Sequence, residues 1–193
     1  MKNLLFLFTL ICLTQFSYAQ EVTLLPKDET GKFTYYEVVE STVKGDSLQA
    51  RLSNFLTRNK KEIKLKSTDA GKLTIASGKI VIQKSITIIS HPSGEIIYQF
   101  NFEIGEGKYR FWLTDFQFIP YQKDRYGNFV PSTTIGVPLE KEPKKSNAQQ
   151  WEDYRLQAAK YAADFAKRLK DHLVNKTISP LPLPEKKVIS KTW

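Results

Sequence analysis

The stretch Glu95-Ile96-Ile97-Tyr98-Gln99-Phe100-Asn101-Phe102-Glu103-Ile104 decides the fold. Ile96, Tyr98, Phe100, Phe102 and Ile104 alternate with Ile97, Gln99, Asn101 and Glu103, a period of two that makes a strand with one buried face. Gly105-Glu106-Gly107 turns this strand into another, about 108–119, carrying Tyr109, Phe111, Trp112, Leu113, Phe116 and Phe118. Upstream, His91-Pro92-Ser93-Gly94 carries a strong turn signal. The β-rich stretches 72–76 and 79–90, interrupted at Ser77-Gly78, predict two more strands, entered from a helix-to-strand handover at Asp69-Ala70-Gly71.

Working outward, Phe33, Thr34, Tyr35, Tyr36, Val38 and Val39 predict a strand over about 32–41. Asp46 and Gln49 have capping-box spacing, and Leu48, Leu52, Phe55 and Leu56 share one face of a helix running to about Lys60. Residues 120–145, with Pro120, Pro131, Pro138, Pro143, Gly127 and Gly136, read as an unusually long connection. Ser146 and Gln149 form a second capping box. Beyond it, Trp151, Tyr154, Ala158, Tyr161, Phe165, Leu169 and Leu173 predict an amphipathic helix over 147–174, roughly 40 Å long at 1.5 Å per residue. Strand, helix, four strands and helix make a two-layer α+β domain, β-α-β4-α, with an antiparallel sheet and both helices on one face. The domain spans 20–178, and Pro180, Pro182 and Pro184 make 179–193 an extended tail.

The first 19 residues read as a signal peptide: Lys2, an apolar run from Leu4 to Leu13, and Ser17-Tyr18-Ala19 as the cleavage site. The run is about half the ~20 residues that span a bilayer. Cys12, preceded by Ile11, belongs to that apolar run rather than to a lipoprotein site. The expected location is periplasmic or secreted. Cleavage removes the lone Cys and lowers the net charge of +9 by one. Usage of 41% hydrophobic and 25% charged residues is ordinary for globular chains and excludes wholesale disorder. One Cys excludes a disulfide framework and a cysteine zinc site.

Several short motifs, in order, resemble a family of bacterial secreted domains. They are Leu25-Pro26-Lys27-Asp28-Glu29-Thr30-Gly31-Lys32 leading into Thr34-Tyr35-Tyr36-Glu37-Val38-Val39, then Asp69-Ala70-Gly71-Lys72, then Gly107-Lys108-Tyr109-Arg110-Phe111 with Thr114-Asp115-Phe116, and Gln150-Trp151. The family is domain of unknown function 4468, and the resemblance, over about 22–174, implies a TATA-binding-protein-like (TBP-like) fold. It implies no activity and no catalytic residues.

The residues themselves present no catalytic constellation. His91 reads as a turn residue and His172 as a residue of the last helical turn, facing the helix's negative end. No nucleophile elbow, phosphate loop or metal motif is present, so neither cofactor nor metal is expected. Asp115, bracketed by aromatics, is the one carboxylate that stands out. The basic cluster Arg58, Lys60, Lys61, Lys64 and Lys66 reads as flanking a helix end, which with export argues against nucleic acid and allows an anionic cell-surface neighbour. The aromatics are more informative. Counted along 108–119, Tyr109, Phe111 and Leu113 point opposite to Trp112, Phe116 and Phe118, so both sheet faces are expected to be apolar. The loop 120–145, the tail, a partner protein or a ligand could cover the second face.

The expected function is a non-enzymatic binding or interaction module using Trp112, Phe116, Phe118 and Tyr121, with Tyr126 and Phe129 from the loop above them. Its partner would be a protein or another cell-surface component. The alternative is a helix-grip domain enclosing a small apolar ligand between sheet and long helix, and a cell-envelope hydrolase is more remote.

Overall fold

The computed structural model describes residues 24–69, 72–86 and 89–174. The expected leader at 1–19 and tail at 179–193 lie outside the described residues. The elements, in order, are β1 (Tyr35–Glu40), α1 (Gly45–Arg58), β2 (Ile63–Asp69), β3 (Leu73–Ile86), β4 (Ile89–Gly105), β5 (Lys108–Lys123), β6 (Phe129–Pro131), β7 (Val137–Pro138) and α2 (Ala148–Val174). The sheet is antiparallel in the order β1-β5-β4-β3-β2, with β6 and β7 both pairing to β5. This is the expected antiparallel α+β architecture with a long C-terminal helix.

Both helices pack on one sheet face. Alanines at 158, 159, 162 and 166 give α2 a narrow buried stripe, which lets it settle close over aromatic side chains. Phe165 meets Phe100 edge-on at 5.2 Å and Phe55 of α1 at 5.5 Å. Phe102 stacks on Tyr109 at 5.2 Å, and the Tyr98 and Tyr161 hydroxyls hydrogen-bond at 2.9 Å. Tyr98 passes directly over Gly78, where a Cβ would come within 2.2 Å of its ring. Gly78 is therefore not an interruption; it is an interior residue of β3 whose missing side chain makes room for Tyr98.

Other local expectations are corrected in the same way. Residues 63–69 form an edge strand, and its alternation of Ile63 and Leu65 with Lys64 and Lys66 places those two lysines on a strand rather than at a helix end. His91-Pro92-Ser93-Gly94 lies inside β4, where a register shift between Ile82 and Gln83 pairs Gln83 with Pro92. A bulge tolerates a residue that lacks an N–H. The region 120–145 is largely structured: β5 extends to Lys123, Asp124 and Gly127 close a hairpin to β6, and β7 returns to β5. Neither capping box forms. The N-cap of α1 is Lys44, while Gln49 donates to Thr74 Oγ1 at 3.2 Å, and Ser146 lies in a short 3-10 turn over Lys145–Asn147. Asp46 still sits in the first turn of α1, where its charge complements the helix dipole.

Candidate binding surface

The two faces of the sheet are set by one residue. Ile97 pairs with Gln117 but Gln99 pairs with Thr114, so Asp115 and Phe116 together oppose Tyr98. This is a β-bulge, and Asp115 adopts φ 56°, a left-handed conformation that Asp tolerates better than most residues. The bulge reverses the parity of β5. Before it Tyr109, Phe111 and Leu113 face the helices; after it Phe116 and Phe118 do. Phe116 is 0% exposed, and Phe118 stacks on Tyr154 of α2 at 4.2 Å. Both leave the expected surface site and belong to the core.

The opposite face carries no helix among the described residues. At one end, Tyr36 of β1 is 52% exposed and lies 6.4 Å from the half-buried Trp112, with Val38 equally exposed beside it. The Arg110 guanidinium sits 5.8 Å from the Trp112 ring and is held by Glu103, Nε to Oε2 at 2.7 Å. Glu103 also raises the guanidinium pKa, first through that hydrogen bond. A cleft of about 210 Å³ opens here between Tyr36, Val38, Glu103 and Arg110.

The centre of the face is polar. Gln99 donates to Asn101 Oδ1 at 2.9 Å, and Asp115 is ion-paired with Lys32, which precedes β1. That pairing raises the Lys32 pKa, chiefly through its hydrogen bond to the carboxylate. A shallow cleft of about 330 Å³ is lined by Lys66, Ser77, Ile97, Gln99, Asp115 and Gln117. At the far end Glu95 is clamped between Lys79 Nζ at 2.9 Å and the Tyr121 hydroxyl at 2.7 Å. Burial, then this hydrogen bond, pushes the Tyr121 pKa up to about 12.

The six residues expected to form one site therefore do not gather. Trp112 and Tyr121 share the open face but stand nine positions apart on β5. Tyr126 is at the exposed hairpin tip against Arg125, and Phe129 lies 5.8 Å from His91. Tyr36, Val38, Arg110 and Glu103 complete the aromatic end and were not expected from the sequence. The signal for Tyr36 and Val38 was their shared parity in β1. His172 does not cap α2: Arg51 of α1 takes the Leu173 carbonyl, and His172 instead lies 5.4 Å from the Phe55 ring. Among the described residues no three His, Cys, Asp or Glu side chains gather as a metal site. No helix of the described chain is long and apolar enough to cross a membrane.

The comparisons with known proteins concern the fold. A crystal structure of a TBP-like protein from Parabacteroides distasonis superposes with a TM-score of 0.57 at 12% identity, covering 78% of this chain and 97% of that one. A DUF4468 family protein from Bacteroides ovatus gives 0.54 at 14% identity, covering 81% and 94%. No curated protein matches the sequence. Residues 35–119, from the start of β1 through most of β5, match the family model described as Domain of unknown function (DUF4468) with TBP-like fold.

Proposed function

We propose that this protein is an exported, non-enzymatic binding module whose open sheet face takes an extended polar chain of the cell surface, an oligosaccharide. The carrying observation is the aromatic pair on the helix-free face, Tyr36 exposed and Trp112 half-buried beside it, flanked by polar side chains. Aromatic faces pack against the C–H faces of sugar rings, while carboxylates, amides and guanidinium groups bond their hydroxyls. Arg110–Glu103 and Gln99–Asn101 hold such groups in fixed geometry beside the rings. The central cleft continues the polar surface toward Tyr121.

Other ligands fit less well. The space between sheet and α2 is filled by Phe100, Phe102, Phe111, Phe116 and Phe165, which argues against an apolar ligand enclosed there. Among the described residues of the open face Lys32, Lys79 and Arg110 are each paired with a carboxylate, which argues against a continuous cationic stripe that would track a phosphate backbone. A TBP-like fold does not by itself carry nucleic-acid binding.

Titration of cell-surface oligosaccharides by calorimetry tests this reading. Tyr36→Ala and Trp112→Ala should each weaken binding by about tenfold or more, a loss of ~1.4 kcal/mol, with the protein still folded and Tm lowered by only a few degrees. Absence of binding across the panel, or variants that bind as well as wild type, would refute it. Cleavage of a bound oligosaccharide would overturn the non-enzymatic part.

A further inference from the structure

At the sheet edge farthest from Tyr36, we infer that β2 docks an extended acidic segment of a partner protein as an additional strand. β2 is the last strand of the sheet, and among the described residues it pairs only with β3. Its outward backbone groups follow from one bond. Lys79 N–H donates to the Glu62 carbonyl at 2.9 Å, so residues 62 and 64 turn their backbone toward β3 and residues 63 and 65 turn theirs away. The Ile63 N–H is taken by the Asn59 carbonyl at 3.0 Å. The Ile63 carbonyl and both groups of Leu65 remain directed to the edge.

The side chains of these same two residues line a cleft of about 320 Å³ between β2 and α1, with Leu52 and Leu56 on its other wall. Leu65 is 54% exposed, an apolar side chain that the fold leaves half open to water. Outward hydrogen-bonding groups and an apolar socket coincide, which is the arrangement that takes a strand by edge addition. The bulge at Lys66, which pairs with no residue of β3, ends the regular edge and sets a short docked segment.

Charge selects the occupant. Lys60, Lys61, Lys64 and Lys66 form no ion pair among the described residues, and the one acid among them, Glu62, is bridged to Arg168 at 3.2 Å. Lysines on an edge repel a second copy of the same edge and admit a strand of opposite charge. The chain's own residues 175–193, with Lys176, Lys186, Lys187 and Lys191 against Glu185, carry the wrong sign. The fitting ligand alternates apolar residues, directed into the cleft, with acidic residues opposite Lys64 and Lys66.

The test uses two labelled peptides of about six residues, one alternating Glu with Val and Leu, the other with Lys in place of Glu. Fluorescence anisotropy at low salt should show the Glu peptide binding about tenfold or more tightly than the Lys peptide, and hydrogen exchange should show protection of the Leu65 amide on binding. The K64E/K66E double variant should reverse the preference, and Leu65→Ser should weaken the Glu peptide without changing Tm. Equal binding of both peptides, an unchanged preference in the double variant, protection elsewhere, a Leu65 amide already protected before peptide is added, or self-association through this edge would each overturn the inference.

Discussion

Phe116 and Trp112 look equivalent in the sequence, two aromatics of even parity in one strand, and the bulge at Asp115 gives them opposite fates. Truncating each to Ala measures that difference. Phe116 has no exposed surface and packs 5.9 Å from Tyr98 beneath α2. A fully buried Phe→Ala replacement costs about 3–5 kcal/mol, transfer and cavity terms together. Trp112 is half-buried on the helix-free face, tilted against Tyr36 with the Arg110 guanidinium over its ring, and its loss should cost about 1–1.5 kcal/mol. In urea, with a slope of about 2 kcal/mol per molar, Phe116→Ala should lower the midpoint by about 1.5–2.5 M and Trp112→Ala by about 0.5–0.8 M. Placing a β-branched residue at the left-handed position, Asp115→Val, should be destabilising through the backbone, whereas Asp115→Asn should keep the bulge and lose only the half-exposed pair with Lys32. Equal midpoints for Phe116→Ala and Trp112→Ala would refute the parity switch. So would an Asp115→Val protein as stable as Asp115→Asn.

Two further outcomes rest on other features. Gly78→Ala places a methyl within 2.2 Å of the Tyr98 ring and should break the Tyr98–Tyr161 hydroxyl bond, lowering stability by about 1–3 kcal/mol in the same denaturation assay; a neutral effect would mean that β3 and β4 can separate at that point. His172 has its pKa lowered by burial first, and then by Arg58 and Arg51. Its folded pKa lies below the unfolded value near 6.5, so the unfolded state binds the proton more readily and stability falls as pH drops through and below about 6.5. His172→Gln should flatten the urea midpoint between pH 7.5 and 5.5, and equal slopes for both proteins would contradict this.

Legibility in the sequence followed burial. The alternation 96–104 and the spacing from Trp151 to Leu173 each report one face turned to the core, and both elements form as expected. β2 was missed because an edge strand with one buried residue, Ile63, and two lysines carries little apolar signal. His91 to Gly94 read as a turn because Pro and Gly are local turn formers, yet the partner strand absorbs them through a register shift. The capping boxes failed because side chains that can cap can also reach elsewhere, as Gln49 reaches Thr74. Of the binding surface, Trp112 and Tyr121 were legible as aromatics of a two-faced hairpin. Tyr36, Val38 and Arg110 were not, because their neighbourhood exists only after β1, first in the chain, pairs with β5.

The sequence by itself determined the fold class, the antiparallel hairpin at its centre and the helix that covers it, since these depend on hydrophobic period and on adjacent turns. Only the tertiary structure decided which aromatics are core and which are surface. Side-chain parity is a count along one strand, but a bulge is a mismatch between two, so the single extra residue at Asp115 moves Phe116 and Phe118 under α2 and leaves Trp112 facing out.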